Sequence, residues 1–311
     1  MEKQKFPSLP TELCGVKFRN PIILASGVLS TGAETMVRIA QNGAGAVTTK
    51  SCSLEPRTGH KNPTVLATEH FLINAVGLSN PGAQEETKEI AQFKRLCPDT
   101  PIIASIFADT IEKFGKTAEI IASAKPHLIE ANISCPNVES EFGRPFAASC
   151  PDASAVVAEI KKATSIPLIV KLSPNVPNIA EIARAVEAAG ANAINAANTL
   201  GPGMVIDPEC GKPILQNKVG GVSGPAIKPI SVRCVYDVSR AVKLPVIGTG
   251  GVTVGLDAAE MILAGATAVG VGSAVHFRGP NAPGLIAREL EQYAKAHKYK
   301  TVADFRALSH K

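Results

Sequence analysis

The sequence predicts an α/β chain folded as one closed (β/α)8 barrel over residues 1–311, and three observations carry that expectation. Eight short apolar, β-prone segments alternate with longer amphipathic ones, the pattern of repeated βα units around a parallel sheet. Each of those segments ends in polar residues or glycine. No linker or change of composition divides the 311 residues, a length that one barrel of about 250 residues with inserted loops would fill. An open doubly wound sheet shares the alternation. It fits less well, because the first strand lacks a Gly-rich dinucleotide turn with an acidic residue about 20 positions on.

The elements follow in order. Residues 9–20 read as a short hairpin around Glu12-Leu13-Cys14-Gly15-Val16-Lys17-Phe18, placed to close the barrel floor. Strands are predicted over 21–25, 44–49, 101–108, 128–134, 167–172, 193–197, 245–248 and 268–272, while 72–76 reads as loop or an accessory strand. In the stretches 83–96, 111–124, 153–164, 179–189, 226–242 and 256–264, apolar residues recur at three- and four-residue steps and predict helices. Gly43, Gly190 and Gly265 stand just past helix ends, where a left-handed cap favours glycine.

Composition narrows the function classes. With 45% hydrophobic and 19% charged residues the chain can bury a large core. Its apolar runs fall short of the roughly 20 residues a membrane span needs, and no apolar segment follows the charged N-terminus, so a soluble cytoplasmic protein is expected. The net charge of +5 is spread along the chain without interleaved aromatics, which argues against a nucleic-acid surface. Seven cysteines, at 14, 52, 97, 135, 150, 210 and 234, show no metal-ligand spacing. Reduced thiols and no metal in this chain are the expectation.

In a closed barrel the C-terminal strand ends converge on one face whatever their distance in sequence. Here they bring together Ser26-Gly27, Lys50-Ser51, Ser105, Asn132 to Cys135, Lys171, Asn198-Thr199, Gly250-Gly251 and Gly272-Ser273. Lys50 and Lys171 are embedded in apolar strands, and a desolvated ammonium is costly unless an anion or several acceptors meet it. The pair implies a buried anionic ligand. Thr249-Gly250-Gly251 and Gly270-Val271-Gly272-Ser273 fall after strands seven and eight, where barrels commonly bind phosphate through backbone N–H groups. The segment Ala131-Asn132-Ile133-Ser134-Cys135-Pro136-Asn137 delivers two amides, a hydroxyl and a thiol to one loop. The same residues also suit an ordinary turn with a small buried thiol.

Several strings together resemble the dihydroorotate dehydrogenase family, in its soluble FMN-binding branch. They are Ala25-Ser26-Gly27, Lys50, Leu54-Glu55-Pro56-Arg57, Asn74-Ala75-Val76-Gly77-Leu78-Ser79-Asn80-Pro81-Gly82, Asn132-Ile133-Ser134-Cys135-Pro136-Asn137, Val170-Lys171-Leu172-Ser173-Pro174-Asn175, Asn198-Thr199-Leu200 and Gly220-Gly221-Val222-Ser223-Gly224-Pro225-Ala226-Ile227-Lys228-Pro229. The resemblance runs from Asn20 to Ser273. It implies a TIM barrel with FMN across the strand ends and dihydroorotate stacked on it, Cys135 being the base that takes the C5 proton while the C6 hydride passes to the flavin. Carried over, Ser26, Lys50, Ser51, Asn132, Lys171, Ala197, Gly224, Gly250, Gly251, Gly272 and Ser273 contact FMN. Lys50, Asn74, Ala75, Val76, Gly77, Leu78, Asn132, Asn198 and Thr199 contact the substrate. No His or Asp flanks Cys135, so its thiol would titrate near the free value of about 8.5 and turnover would climb with pH.

The resemblance is closest to the branch that passes electrons to NAD through a separate subunit carrying FAD and a [2Fe–2S] cluster, on a dimer of this chain within a heterotetramer. A fumarate-dependent homodimer, a flavoenzyme acting on uracil or thymine, and a non-redox phosphate-binding lyase or isomerase are the alternatives. The chain departs from the family pattern at three places: Ser105 replaces a common asparagine, the loop 138–145 is unusual, and 201–204 is one residue longer.

Overall fold

Eight parallel strands close on one another in chain order in the computed structural model, which describes residues 8–134 and 145–311. They are β1 (Ile22–Leu24), β2 (Ala46–Thr48), β3 (Ile102–Ile106), β4 (Leu128–Asn132), β5 (Leu168–Lys171), β6 (Ala193–Ala196), β7 (Val246–Thr249) and β8 (Ala268–Val271). β8 pairs with β1 and β5 with β6, so no edge is left. This is the predicted (β/α)8 barrel.

Side chains alternate across each strand, and the alternation sorts the core in two. One set, including Leu24, Val47, Ala104, Ala131, Val170 and Val269, joins the helices in the large mantle around the barrel. The other set points inward. Its lower ring is Ile23, Ala46, Ile103, Leu128, Ile169, Ala193, Ile247 and Ala268, plugged by Leu13 and Phe18. Those two come from the predicted hairpin, Thr11–Leu13 against Val16–Phe18. Two residues further along each strand, the next inward ring includes Thr48, Ser105, Glu130, Lys171, Asn195 and Thr249, all buried and all polar. The barrel is therefore dry at the floor and polar beneath its C-terminal mouth.

Among the described residues the helices are α1 (Ala33–Gln41), α2 (Ala83–Leu96), α3 (Ile111–Ser123), α4 (Cys150–Ala163), α5 (Ile179–Ala188), α6 (Lys228–Ala241), α7 (Gly255–Leu263), α8 (Ala274–Arg278) and α9 (Ala282–Ala296). Thr110, Ser149 and Asn178 cap α3, α4 and α5 by accepting backbone N–H groups. Gly43, Gly190 and Gly265 follow α1, α5 and α7 with φ of +106°, +101° and +117°. The Ser149 cap and Pro151 in the first turn start α4 at Cys150, ahead of the predicted 153. Pro225–Ile227 forms a 3-10 turn, so α6 starts at Lys228, two residues after the predicted 226.

Two insertions were not resolved by periodicity. Val65–Ala67 and Leu72–Asn74, after β2, join Leu200–Gly203 and Gly220–Ser223, after β6, in a four-stranded antiparallel sheet. Of the two readings of 72–76, loop or accessory strand, a short strand is present over Leu72–Asn74. The two strands after β6, Leu200-Gly201-Pro202-Gly203 and Gly220-Gly221-Val222-Ser223, are rich in glycine, which hides any alternation. No helix among the described residues is long and apolar enough to cross a membrane.

Candidate active site

The strand ends and the inserted sheet enclose a cleft of about 260 Å³ on the C-terminal face of the barrel. Its floor comes from β1, β2, β4, β5 and the loops that follow them, through Ser26, Lys50, Ser51, Asn132 and Lys171. One wall is the insertion after β2, with Asn74, Val76, Gly77 and Leu78. Ala197, Asn198 and Thr199 complete the side after β6. Gly250, Gly251, Gly272 and Ser273 form the end under β7 and β8. Every predicted site residue among these faces one space, although they span most of the sequence.

Two predicted residues do not line the cleft. Ala75 is fully buried in a small cluster with Ile73 and Leu215, on the far side of the accessory sheet. Gly224 stands at the start of the 3-10 turn with φ +94°, and a Cβ there would lie 3.1 Å from the Cα of Phe71. Its job in the fold is close approach to the inserted sheet. Cys135 and Asn137 lie outside the described residues.

Lys171 is the most demanding group. It ends β5, is 5% exposed, and makes no hydrogen bond or ion pair among the described residues. Its register neighbours are Asn132 on β4 and Asn195 on β6. A desolvated ammonium with no anion beside it among the described residues calls for one from a ligand. Lys50 lies just past β2, half-buried, its Nζ 3.9 Å from the position a Cβ on Gly27 would take. Thr249 adds a buried hydroxyl with no partner among the described residues, at the same cleft.

The two glycine loops suit an anion. Gly250 and Gly251 have φ of +130° and +78°, and a Cβ on Gly251 would lie 2.6 Å from that of Lys228. Among the described residues, the N–H groups of Gly250, Gly251, Gly272 and Ser273 donate to no protein acceptor. Free amides beside small residues leave room for phosphate oxygens.

The asparagines form one connected set. Asn132 Nδ2 donates to Ser51 Oγ (3.2 Å), and Ser134 Oγ donates to Asn132 Oδ1 (3.1 Å). Asn198 Nδ2 donates to Ser134 Oγ (2.9 Å), while Asn198 Oδ1 accepts the N–H of Thr199 (2.9 Å). Asn175 reaches the same loop, donating to Thr199 O (3.1 Å) and accepting from Gly201 N (2.9 Å). Amides that carry both donors and acceptors suit a flat ring bearing carbonyls and N–H groups.

Ser105 is fully buried and does not line the cleft; its hydroxyl lies 2.8 Å from Ser51 Oγ and 3.2 Å from Glu130 Oε1. Glu130 and Asn195, buried in the same polar ring as Lys171 but not lining the cleft, are functional candidates that the sequence reading missed. The signal was present. Leu128-Ile129-Glu130-Ala131 and Ala193-Ile194-Asn195-Ala196 embed a polar residue in an apolar strand in the same way that flagged Lys50 and Lys171.

The family model described as dihydroorotate dehydrogenase matches residues 8–293. The chain is 42% identical to the protein named dihydroorotate dehydrogenase B (NAD(+)), catalytic subunit, of Methanothermobacter thermautotrophicus, covering 98% of this chain and 99% of that one. It is 43% identical to the protein of the same name from Methanosarcina mazei, over 96% of this chain and 94% of the relative. For the Pyrococcus abyssi protein, again of the same name, the figures are 41%, 97% and 99%.

Proposed function

The chain belongs to the dihydroorotate dehydrogenase family, and from that premise we propose that it oxidises (S)-dihydroorotate to orotate for de novo pyrimidine synthesis, with FMN held across the barrel mouth. The observation that carries this reading is Lys171, a buried ammonium without a protein partner among the described residues, at the floor of the cleft. The residues present fit FMN. Glycine loops with free amides suit its phosphate, the unpartnered Thr249 hydroxyl offers a further contact, and Lys171 suits a ring that gains negative charge.

When bound, FMN supplies a two-electron acceptor for the C6 hydride. The chain's own residues supply the remainder. Asn132, Asn198 and Thr199 orient the pyrimidine through amide and hydroxyl contacts, and Lys50 offers a cation to the substrate carboxylate. That cation favours dihydroorotate over uracil or thymine, which carry no carboxylate. Cys135, beyond the described residues, takes the proton from C5.

Electrons leave to NAD through a partner subunit with FAD and a [2Fe–2S] cluster, docked on a dimer of this chain. Two things support a partner: relatives bear the name catalytic subunit, and the sequence has no cysteines spaced for a cluster. A cytoplasmic location fits the six described cysteines, all of them free thiols. The test is a visible spectrum before and after anaerobic addition of dihydroorotate, which should bleach the flavin band. Purified chain that neither carries nor takes up FMN would overturn the redox reading. Robust fumarate reduction by the chain alone would overturn the NAD-linked one.

A further inference from the structure

Glu130 faces into the barrel in the same polar ring as Lys171, 2% exposed and not among the residues that line the cleft. Both carboxylate oxygens accept: Oε1 from Ser105 Oγ at 3.2 Å, Oε2 from Asn195 Nδ2 at 2.7 Å. The cation nearest in register is Lys171, which neighbours Asn132 and Asn195 on β5.

A hydroxyl has one proton and two lone pairs, and a carboxylate has only lone pairs. Ser105 therefore spends its proton on Glu130. Ser51, 2.8 Å away, must then donate to Ser105, and its own proton is committed. At the next contact, Ser26 Oγ to Ser51 Oγ at 3.2 Å, the donor can only be Ser26. Ser26 also accepts the N–H of Ser51 at 3.1 Å, so one lone pair is all it has left. The same logic fixes Asn132. Ser51 has no proton to offer it, so Nδ2 must face Ser51, and Oδ1 must face Ser134 and Asn198.

We propose that Glu130 is a positioning residue that sets the hydrogen-bond polarity of the cleft floor, committing the Ser26 proton to Ser51 so that Ser26 can only accept from a ligand, and leaving the second Nδ2 proton of Asn132 free to donate. A ligand atom resting on Ser26 must then be a donor, and one resting on the free proton of Asn132 an acceptor. The polarity follows from protein atoms alone; its effect on binding rests on the reading that FMN fills the cleft.

The direct test is neutron diffraction from deuterium-exchanged crystals of the protein as purified. Deuterons are expected on Ser105 toward Glu130, on Ser51 toward Ser105 and on Ser26 toward Ser51. A deuteron on Glu130, or a Ser51 deuteron directed at Ser26, overturns the proposal whether or not flavin is bound. The consequence for binding is read by a double-mutant cycle on FMN dissociation, pairing Ser26→Ala with Glu130→Gln. These residues touch only through Ser51 and Ser105, so a structural role for Glu130 predicts additivity. A coupling of threefold or more is expected, and less than threefold overturns the link to binding. Ser105→Ala, which breaks the chain without leaving a new polar atom, repeats the cycle if Glu130→Gln does not fold. If FMN does not bind at all, the flavin reading fails while the deuteron positions still decide the polarity.

Discussion

The Nζ of Lys228 lies 2.8 Å from Oδ1 of Asp257, joining the first residue of α6 to the first turn of α7 across the glycine loop after β7. Lys228 also meets Glu260 at 2.7 Å, so its charge serves the loop's frame. The other oxygen of Asp257 accepts from Thr253 N, Thr253 Oγ1 and Val254 N at 2.8, 2.8 and 3.0 Å. Arg278 and Glu289 close the far side, Arg278 donating to Thr253 O at 2.9 Å and Glu289 accepting from Gly255 N at 2.7 Å. The free amides of Gly250 and Gly251 thus sit in a loop pinned from both ends.

Asp257→Ala removes the common acceptor of that frame. The expected result is a loss of about 2 kcal/mol of stability and roughly tenfold weaker FMN binding, read by denaturant melts and flavin titration. Burial raises the Asp257 carboxyl, but bonds from Lys228, Thr253 and Val254 outweigh it and hold the group below its ordinary value. Its contribution is therefore present above the ordinary carboxylate range, near pH 4, and is lost as the pH falls through the lower folded value. Unchanged flavin affinity in the variant would show that the loop keeps its shape unaided.

Glu86 on α2 presents the opposite case. It is fully buried, neither oxygen is within hydrogen-bond geometry of a partner among the described residues, and burial, with nearby Glu89 adding to it and Thr49 only partly offsetting it, pushes its carboxyl up from 4.5 to about 8. The folded state holds a proton that the unfolded chain releases, so wild-type stability falls as the pH rises from about 4.5 to 8. Glu86→Gln should be the more stable protein at pH 8, by an amount on the order of a few kcal/mol, with the gap shrinking toward pH 5. Urea melts at the two pH values check this; an equal gap at both would refute it.

Lys171→Met should move stability and binding in opposite directions. Removing a buried charge that has no partner among the described residues is expected to raise the melting temperature of the flavin-free chain, on the order of 1 kcal/mol in stability. FMN affinity and the rate of flavin reduction should each fall at least about tenfold. A flavin-free chain that melts lower in the variant would mean that Lys171 has found a counter-charge in the protein.

Cys135→Ala should take up FMN as the wild type does and lose flavin reduction by dihydroorotate. Cys135→Ser should be slow at neutral pH, because a hydroxyl holds its proton far more tightly than a thiol. Stopped-flow reduction measures both, and wild-type rates in the alanine variant would remove Cys135 from the chemistry.

The sequence by itself determined the barrel, its floor hairpin and most of the cleft lining. Alternation of apolar and amphipathic segments is a local property, and barrel closure brings every strand end to one face without further information. Lys171 was legible for the same reason, as a charge inside an apolar strand. The accessory sheet was not legible, because Leu200–Gly203 and Gly220–Ser223 carry no alternating pattern and become strands only on pairing with each other and with Leu72–Asn74. Tertiary structure alone turned Ala75 away from the cleft and sent Lys228 to Asp257. It alone also linked Glu130 to Ser26 through two intervening hydroxyls. Which proton points where depends on contacts between residues up to 81 positions apart in the sequence, from Ser51 to Asn132, and no local pattern of residues encodes those contacts.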